Sequence, residues 1–194
     1  VFLFLKKRIG GTGVYDGVLT SKTLWEQALK VASIREMIPD YIPRFDDFAK
    51  IVNEAVFERK TQMTVHLQLL QKLQKKLFFY EKGTAYISNK NEVRITKEDG
   101  TSRFVSCDNI LIATGSSPRK PANIEVDEKI IVTSDGMRNL SSFPKSLVVL
   151  GAGVIGCEFA TIFSAFGQTK VYLIDKADRI LPFEDEDIAS IVTK

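Results

Sequence analysis

Several residue classes are scarce in this chain, and each scarcity narrows what it can be. There are two cysteines, Cys107 and Cys157, fifty residues apart. That argues against a disulfide framework and fits a reducing compartment such as cytoplasm or mitochondrial matrix. Long apolar runs are missing: the longest wholly apolar stretch is Val1 to Leu5, far below the ~20 residues of a membrane-spanning helix. Charge of one sign is not in excess, since 27 Lys and Arg stand against 24 Asp and Glu. With no basic patch interleaved with aromatics, neither nucleic acid nor membrane insertion is expected. One histidine, His66, is present. No metal site, signal peptide, internal repeat or low-complexity segment is visible.

What remains is globular in character. The 194 residues are 44% hydrophobic and 26% charged, which suits one large domain or two small ones. The strongest pattern lies late in the chain. Leu147 to Leu150 is an apolar run leading directly into Gly151-x-Gly153-x-x-Gly156, with Val154 and Ile155 between the last two glycines. A helical pattern follows through Phe159, Ala160, Ile162, Phe163 and Phe166. A second apolar run, Val171 to Ile174, ends on Asp175. This order is the dinucleotide-binding βαβ fingerprint. Gly151 allows the tight turn, Gly153 lets backbone approach a pyrophosphate, and Gly156 lets helix and strand pack closely. The helix N-terminus offers unpaired N–H groups and the positive end of its dipole to phosphates. Asp175 can accept hydrogen bonds from a ribose 2′-hydroxyl, which favours NAD. Lys176 and Arg179 are either cations tolerant of a 2′-phosphate or ordinary surface charges, so NADP stays open.

The rest of the chain divides by periodicity. Lys22 to Arg35 is expected to be helical, with Leu24, Ala28, Val31 and Ala32 on one face and Ser21 as its cap. Pro39 and Pro43 mark a loop. No Gly or Pro interrupts Phe45 to Leu77. Apolar residues recur there at three- and four-residue steps, which predicts a long amphipathic helix with a charged outer face. Short strands are predicted at Thr84–Ser88, Val93–Thr96, Arg103–Cys107 and Asn109–Ala113. Glu98-Asp99-Gly100 is a hairpin turn between two of them. Val1 to Leu5 reads as a buried strand without a preceding partner. Position 1 is Val, and both ends are expected to fall inside domains, so the chain reads as an interior segment with flanks or partner subunits completing it.

Four separated motifs together resemble one family. They are Gly10-Gly11-Thr12 with Ser21-Lys22, Gly83-Thr84-Ala85, Ile112-Ala113-Thr114-Gly115-Ser116-x-Pro118, and the fingerprint ending in Gly156-Cys157-Glu158. In this order they resemble the FAD- and NAD(P)-dependent pyridine nucleotide-disulfide oxidoreductases, over nearly the whole chain. Within that family the resemblance is nearest the soluble transhydrogenase branch.

The resemblance implies an α/β, Rossmann-like flavoprotein fold with two dinucleotide-binding domains. Residues 1–141 would be a partial FAD-binding domain and 142–194 the opening βαβ of an NAD(P)-binding domain. It implies pyridine nucleotides as partners, NAD or NADP as cofactor, and FAD on an incomplete site. Gly10, Gly11, Thr12, Ala85, Thr114 and Gly115 would line part of a flavin pocket. Lys22 would lie beside the reactive edge of the flavin, with Glu158 as its acid partner. The plain alternative is a surface salt bridge worth under ~1 kcal/mol.

The chain departs from the family at three places. The positions of the redox cysteines are Gly13 and Val18, so no thiol relay is expected. No acid occurs before Asp16, where the family has one that binds the FAD ribose. No glycine fingerprint for the flavin precedes Phe2. These features leave two functions in competition: flavin-mediated hydride transfer between NADPH and NAD, or an inactive subunit with a structural or nucleotide-sensing role. His66 is expected on a helix surface rather than in catalysis.

Overall fold

The computed structural model describes residues 2–6, 10–73 and 79–193. They form two compact units: Val1–Tyr15 with Phe57–Ser117, and Asp16–Val56 with Pro118–Lys194.

The first unit contains two small sheets. Strand β1 (Phe2–Leu5) pairs in parallel with β2 (Phe79–Lys82), in the register Phe2 to Phe79. The paired Phe2 and Phe79 rings stack at 4.8 Å. β1 therefore has a partner, and Phe2 is exposed rather than buried. Val1 lies outside the described residues.

Strands β3 (Thr84–Asn89), β4 (Glu92–Thr96) and β5 (Ser102–Ser106) form an antiparallel meander. Val93, Ile95 and Val105 are its buried cluster, and Phe4, Cys107 and Ile110 pack against it. Gly83 leads into it because a Cβ there would lie 2.8 Å from the Thr96 carbonyl oxygen. The β4–β5 turn is the expected hairpin. Gly100 takes φ +83°, and the Asp99 carboxylate accepts both the N–H and the hydroxyl of Thr101.

Asn109–Ala113 is not a strand. It has no ladder partner among the described residues, and Leu111 is 91% exposed. An apolar run becomes a strand only where a neighbour satisfies its backbone. A short helix, α1 (Gly11–Tyr15), also belongs to this unit.

The second unit is built on α2 (Val18–Met37), α3 (Phe45–Leu73, its first part), β6 (Ser146–Leu150), α4 (Val154–Phe166), β7 (Lys170–Ile174) and α5 (Glu186–Thr193). α2 begins earlier than expected, with Gly17 as N-cap. Ser21 is therefore buried inside the helix rather than capping it, its hydroxyl turned back to the Val18 carbonyl at 3.5 Å. On α3 the amphipathic stripe buries Phe48 and Val52, whereas Leu73 is 77% exposed. Leu77 lies outside the described residues.

β6 and β7 pair in parallel from Ser146–Lys170 to Leu150–Ile174, and α4 crosses between them. α4 packs on both strands and on α2, which explains its nearly continuous apolar sequence. The core joins Ala28 and Val31 of α2, Phe48 of α3, and Phe159, Ile162, Phe163 and Phe166 of α4. Phe143 is wedged among the rings of Phe45, Phe48 and Phe166 at 5.1, 6.0 and 4.9 Å. Burial of a side chain such as Phe166 stabilises by about 1.5–3 kcal/mol. α4 ends at Gly167, a C-cap with φ +72°, as expected of a left-handed terminus.

Candidate functional site

In the second unit the end of β6 turns into α4 through the three glycines. Gly151 holds φ +112° and donates its N–H to the Ile174 carbonyl at 2.8 Å, extending the ladder by one bond. Gly153 is the N-cap of α4, and a Cβ there would meet no atom within 4 Å. Gly156 is the opposite case: a Cβ would collide with the Gly151 carbonyl oxygen and approach Val149 Cγ1 at 3.3 Å. Gly156 thus permits the close helix–strand contact, and Gly153 keeps open space in front of the helix. Val154 and Ile155 follow at the helix start with exposed side chains. The first N–H groups of a helix have no intrahelical partner, so this opening faces free donors.

The turn is held from behind. The Ala152 N–H donates to Asp175 Oδ2 at 2.6 Å, and the Ala177 N–H to Asp175 Oδ1 at 2.8 Å. These bonds, the Ala152 bond foremost, hold the Asp175 carboxyl below its ordinary range. The Ala152 carbonyl accepts the Leu181 N–H at 2.7 Å and the Cys157 thiol at 3.4 Å. Burial pushes the Cys157 thiol up, although the Leu181 N–H acts the other way. The pyrophosphate of a dinucleotide fits this arrangement: an open cradle at Gly153, unpaired N–H groups and an acid beyond the second strand. Asp175 keeps lone pairs for ribose hydroxyls, since a carboxylate offers about four acceptor sites. Lys176 is exposed beside it. Arg179 is half-buried, and its guanidinium donates to three backbone carbonyls of the chain just after it. No local sequence pattern signalled that arrangement.

Lys22 and Glu158, 136 positions apart, are brought together. Lys22 Nζ lies 2.7 Å from Glu158 Oε1, with the lysine side chain 59% exposed and the glutamate 13%. The contact follows from the packing of α2 on α4 through Ala28, Val31, Phe159 and Ile162. Val18 opens α2 with an exposed side chain.

The remaining candidates lie in the first unit. Gly10 and Gly11 take φ +88° and +50° where α1 begins, and the Gly10 carbonyl accepts the Val14 N–H. A Cβ at Gly10 would press on Val14 and on the Met63 sulfur at 3.2 Å. Thr12 and Gly13 are in α1, Ala85 is exposed on β3, and Thr114 and Gly115 are exposed in irregular chain, with Gly115 at φ +76°. These residues offer backbone edges and hydroxyls, and with no carboxylate at the end of β1 they do not by themselves make a flavin cradle. Both cysteines are free. His66 is exposed on α3.

A parallel strand pair, a glycine turn packed against its own helix and an acid after the second strand define a Rossmann-type dinucleotide-binding α/β protein. The profile of the pyridine nucleotide-disulphide oxidoreductases matches residues 3–194, and the chain belongs to that family.

Curated relatives include the soluble pyridine nucleotide transhydrogenases of Yersinia pestis (strain Pestoides F) and Yersinia pseudotuberculosis (serotype O:1b, strain IP 31758). Each is 31% identical over 202 residues, a match covering 95% of this chain and 40% of the relative. The chain thus spans about two-fifths of the length of these relatives. Among solved structures, LpdA from Mycobacterium tuberculosis superposes with a TM-score of 0.80 at 24% identity, covering 99% of this chain and 42% of the other. The Cu(II) complex of the flavoprotein disulfide reductase RclA from Escherichia coli gives 0.74 at 26% identity, covering 99% and 40%. No helix among the described residues is long and apolar enough to cross a membrane.

Proposed function

We propose that this chain is part of an FAD-dependent pyridine nucleotide oxidoreductase of the soluble transhydrogenase type, moving hydride between NADPH and NAD without a redox disulfide. Residues 1–141 then belong to the flavin domain and 142–194 to the nucleotide domain. The observation that carries this reading is the Lys22–Glu158 pair at 2.7 Å. A lysine paired with a largely covered acid is held in one direction. Placed beside a ring that gains electrons, such a cation stabilises the developing negative charge. A bound flavin supplies the hydride acceptor and donor. The chain's own residues hold the nucleotide: the Gly151–Gly156 turn and the start of α4 take the pyrophosphate, and Asp175 takes the ribose. Gly13 and Val18 stand where a thiol pair would be needed, which favours return of hydride to a second nucleotide over disulfide reduction.

A second reading is a catalytically inactive subunit with a structural or nucleotide-sensing role. The acid-free stretch from Val1 to Tyr15 favours it. A visible absorption spectrum of the natively isolated protein, taken before and after NADH or NADPH, separates the two. A flavin band that bleaches supports the enzyme. A colourless protein that still binds NADH supports the sensing or structural role.

A further inference from the structure

Arg179 makes three hydrogen bonds, all to backbone. Nη1 donates to the Leu181 carbonyl at 3.2 Å, and Nη2 to the Pro182 and Glu184 carbonyls at 3.2 and 2.9 Å. The Glu184 N–H returns to the Leu181 carbonyl at 3.0 Å. The guanidinium therefore sits inside a tight loop, 179–184, and holds it shut. At its centre Leu181 adopts φ +50°, a conformation uncommon for a non-glycine residue and sustained only where surrounding bonds fix it. In that conformation the buried Leu181 directs its N–H to the Ala152 carbonyl at 2.7 Å. The same residue is held on its other side, through its N–H, by Asp175. Ala152, 2% exposed, is the residue between the first two glycines of the fingerprint. Its carbonyl is thus tied to the Arg179 loop and its N–H to Asp175, just past the end of β7.

We propose that Arg179 is a positioning residue: the strut of a strap, residues 179–184, that holds the glycine turn in its nucleotide-binding shape. The proposal rests on the dinucleotide reading of that turn. Its consequence is that Arg179 sets the affinity for NAD(H) and NADP(H) by one common factor and does not read the 2′-phosphate. A planar fork with five donors suits three diverging carbonyls. A lysine carries the same charge as a single point and cannot span them. Without the strut the strap must be ordered on binding, and that cost falls on every dinucleotide equally.

The test is fluorescence titration of the natively isolated full chain with NADH and, separately, NADPH, for wild type, R179M and R179K. Labelling of Cys157 by a thiol reagent is followed in parallel, with Cys107 as the internal reference. The strut predicts that R179M weakens both nucleotides by the same factor, roughly tenfold. R179K, the milder change should R179M fail to fold, weakens both nearly as much. Cys157 labels faster in both variants, because the carbonyl that holds its thiol has come loose. A loss confined to NADPH, with R179K near wild type, makes Arg179 a phosphate ligand and overturns the proposal. Wild-type binding with unchanged variants overturns the strut and leaves the dinucleotide reading standing. A wild type that binds neither nucleotide removes that reading and the proposal with it.

Discussion

Asp175 Oδ2 accepts the Ala152 N–H at 2.6 Å, closing the end of β7 onto the turn that follows β6. The bond exists only while Asp175 is a good acceptor, so it carries a pH dependence. Its carboxyl is held below the ordinary Asp value of 3.8 by the Ala152 N–H and next by the Ala177 N–H. A depressed folded-state pKa contributes stability that is complete above the unfolded value and is lost as pH falls through the folded one. The window is therefore acidic, beginning near pH 3.8 and extending below it. Thermal midpoints of wild type and Asp175→Ala should differ at pH 6 and converge as the acid end is reached. A constant difference across that range would mean that Asp175 acts through packing rather than charge.

The two glycines flanking the start of α4 should behave oppositely. Gly153→Asp meets open space in the fold, and Asp is a favoured N-cap, worth a few tenths of a kcal/mol over Gly. The variant should fold with an unchanged or slightly raised melting temperature. It should nevertheless lose NADH binding, because the new carboxylate occupies and repels the pyrophosphate position. Gly156→Ala puts a Cβ against the Gly151 carbonyl oxygen, and forcing the helix off the strand should cost about 1–3 kcal/mol. Calorimetry with NADH titration on both variants checks the pair. Retained NADH affinity in Gly153→Asp would refute the assignment of the turn.

The helix core supplies an independent stability test. Ile162 is fully buried between Phe159 and Phe166 in the α2–α4 cluster. Ile162→Ala should destabilise by about 2–5 kcal/mol, and Ile162→Val by about 0.5–1.5 kcal/mol. Denaturant midpoints measured at constant slope check the order. Equal small effects would mean that the cluster relaxes around the lost methyls.

The parts of this chain that could be read in advance are those fixed by local chemistry. The βαβ turn announced itself because only glycine accepts φ +112° at position 151 and the close contact at 156. The α2 and α3 helices were visible as periodic apolar residues, and the Glu98-Asp99-Gly100 turn as a residue pattern with one conformation. What escaped depended on partners distant in sequence. Phe79–Lys82 becomes a strand by pairing with Phe2–Leu5, and nothing within Phe-Tyr-Glu-Lys marks it. Asn109–Ala113 has the composition of a strand and, among the described residues, no ladder to join. Ser21 resembles a cap, but the helix had already begun at Val18. In the candidate site the glycines, Asp175, Lys22 and Glu158 stand at motif positions legible in the sequence. The hold of Arg179 on three carbonyls was not, because a side chain folding back on backbone leaves no periodic trace.

Lys22 and Glu158 allow stability and function to be separated. With the lysine 59% exposed, the pair should contribute under ~1 kcal/mol to folding by double-mutant cycle, as exposed pairs do. Lys22→Met, Glu158→Gln and the double variant should therefore melt within a few degrees of wild type. If the lysine supports charge on a reduced ring, the rate of flavin bleaching by NADPH should fall by 10²-fold or so in Lys22→Met. Glu158→Gln should lose less, because the cation remains but is less firmly held. Adding Glu158→Gln to Lys22→Met should then change little further, since the acid acts through the lysine. Additive losses would instead give Glu158 a separate task, and bleaching unaffected by either change would leave the pair a surface salt bridge.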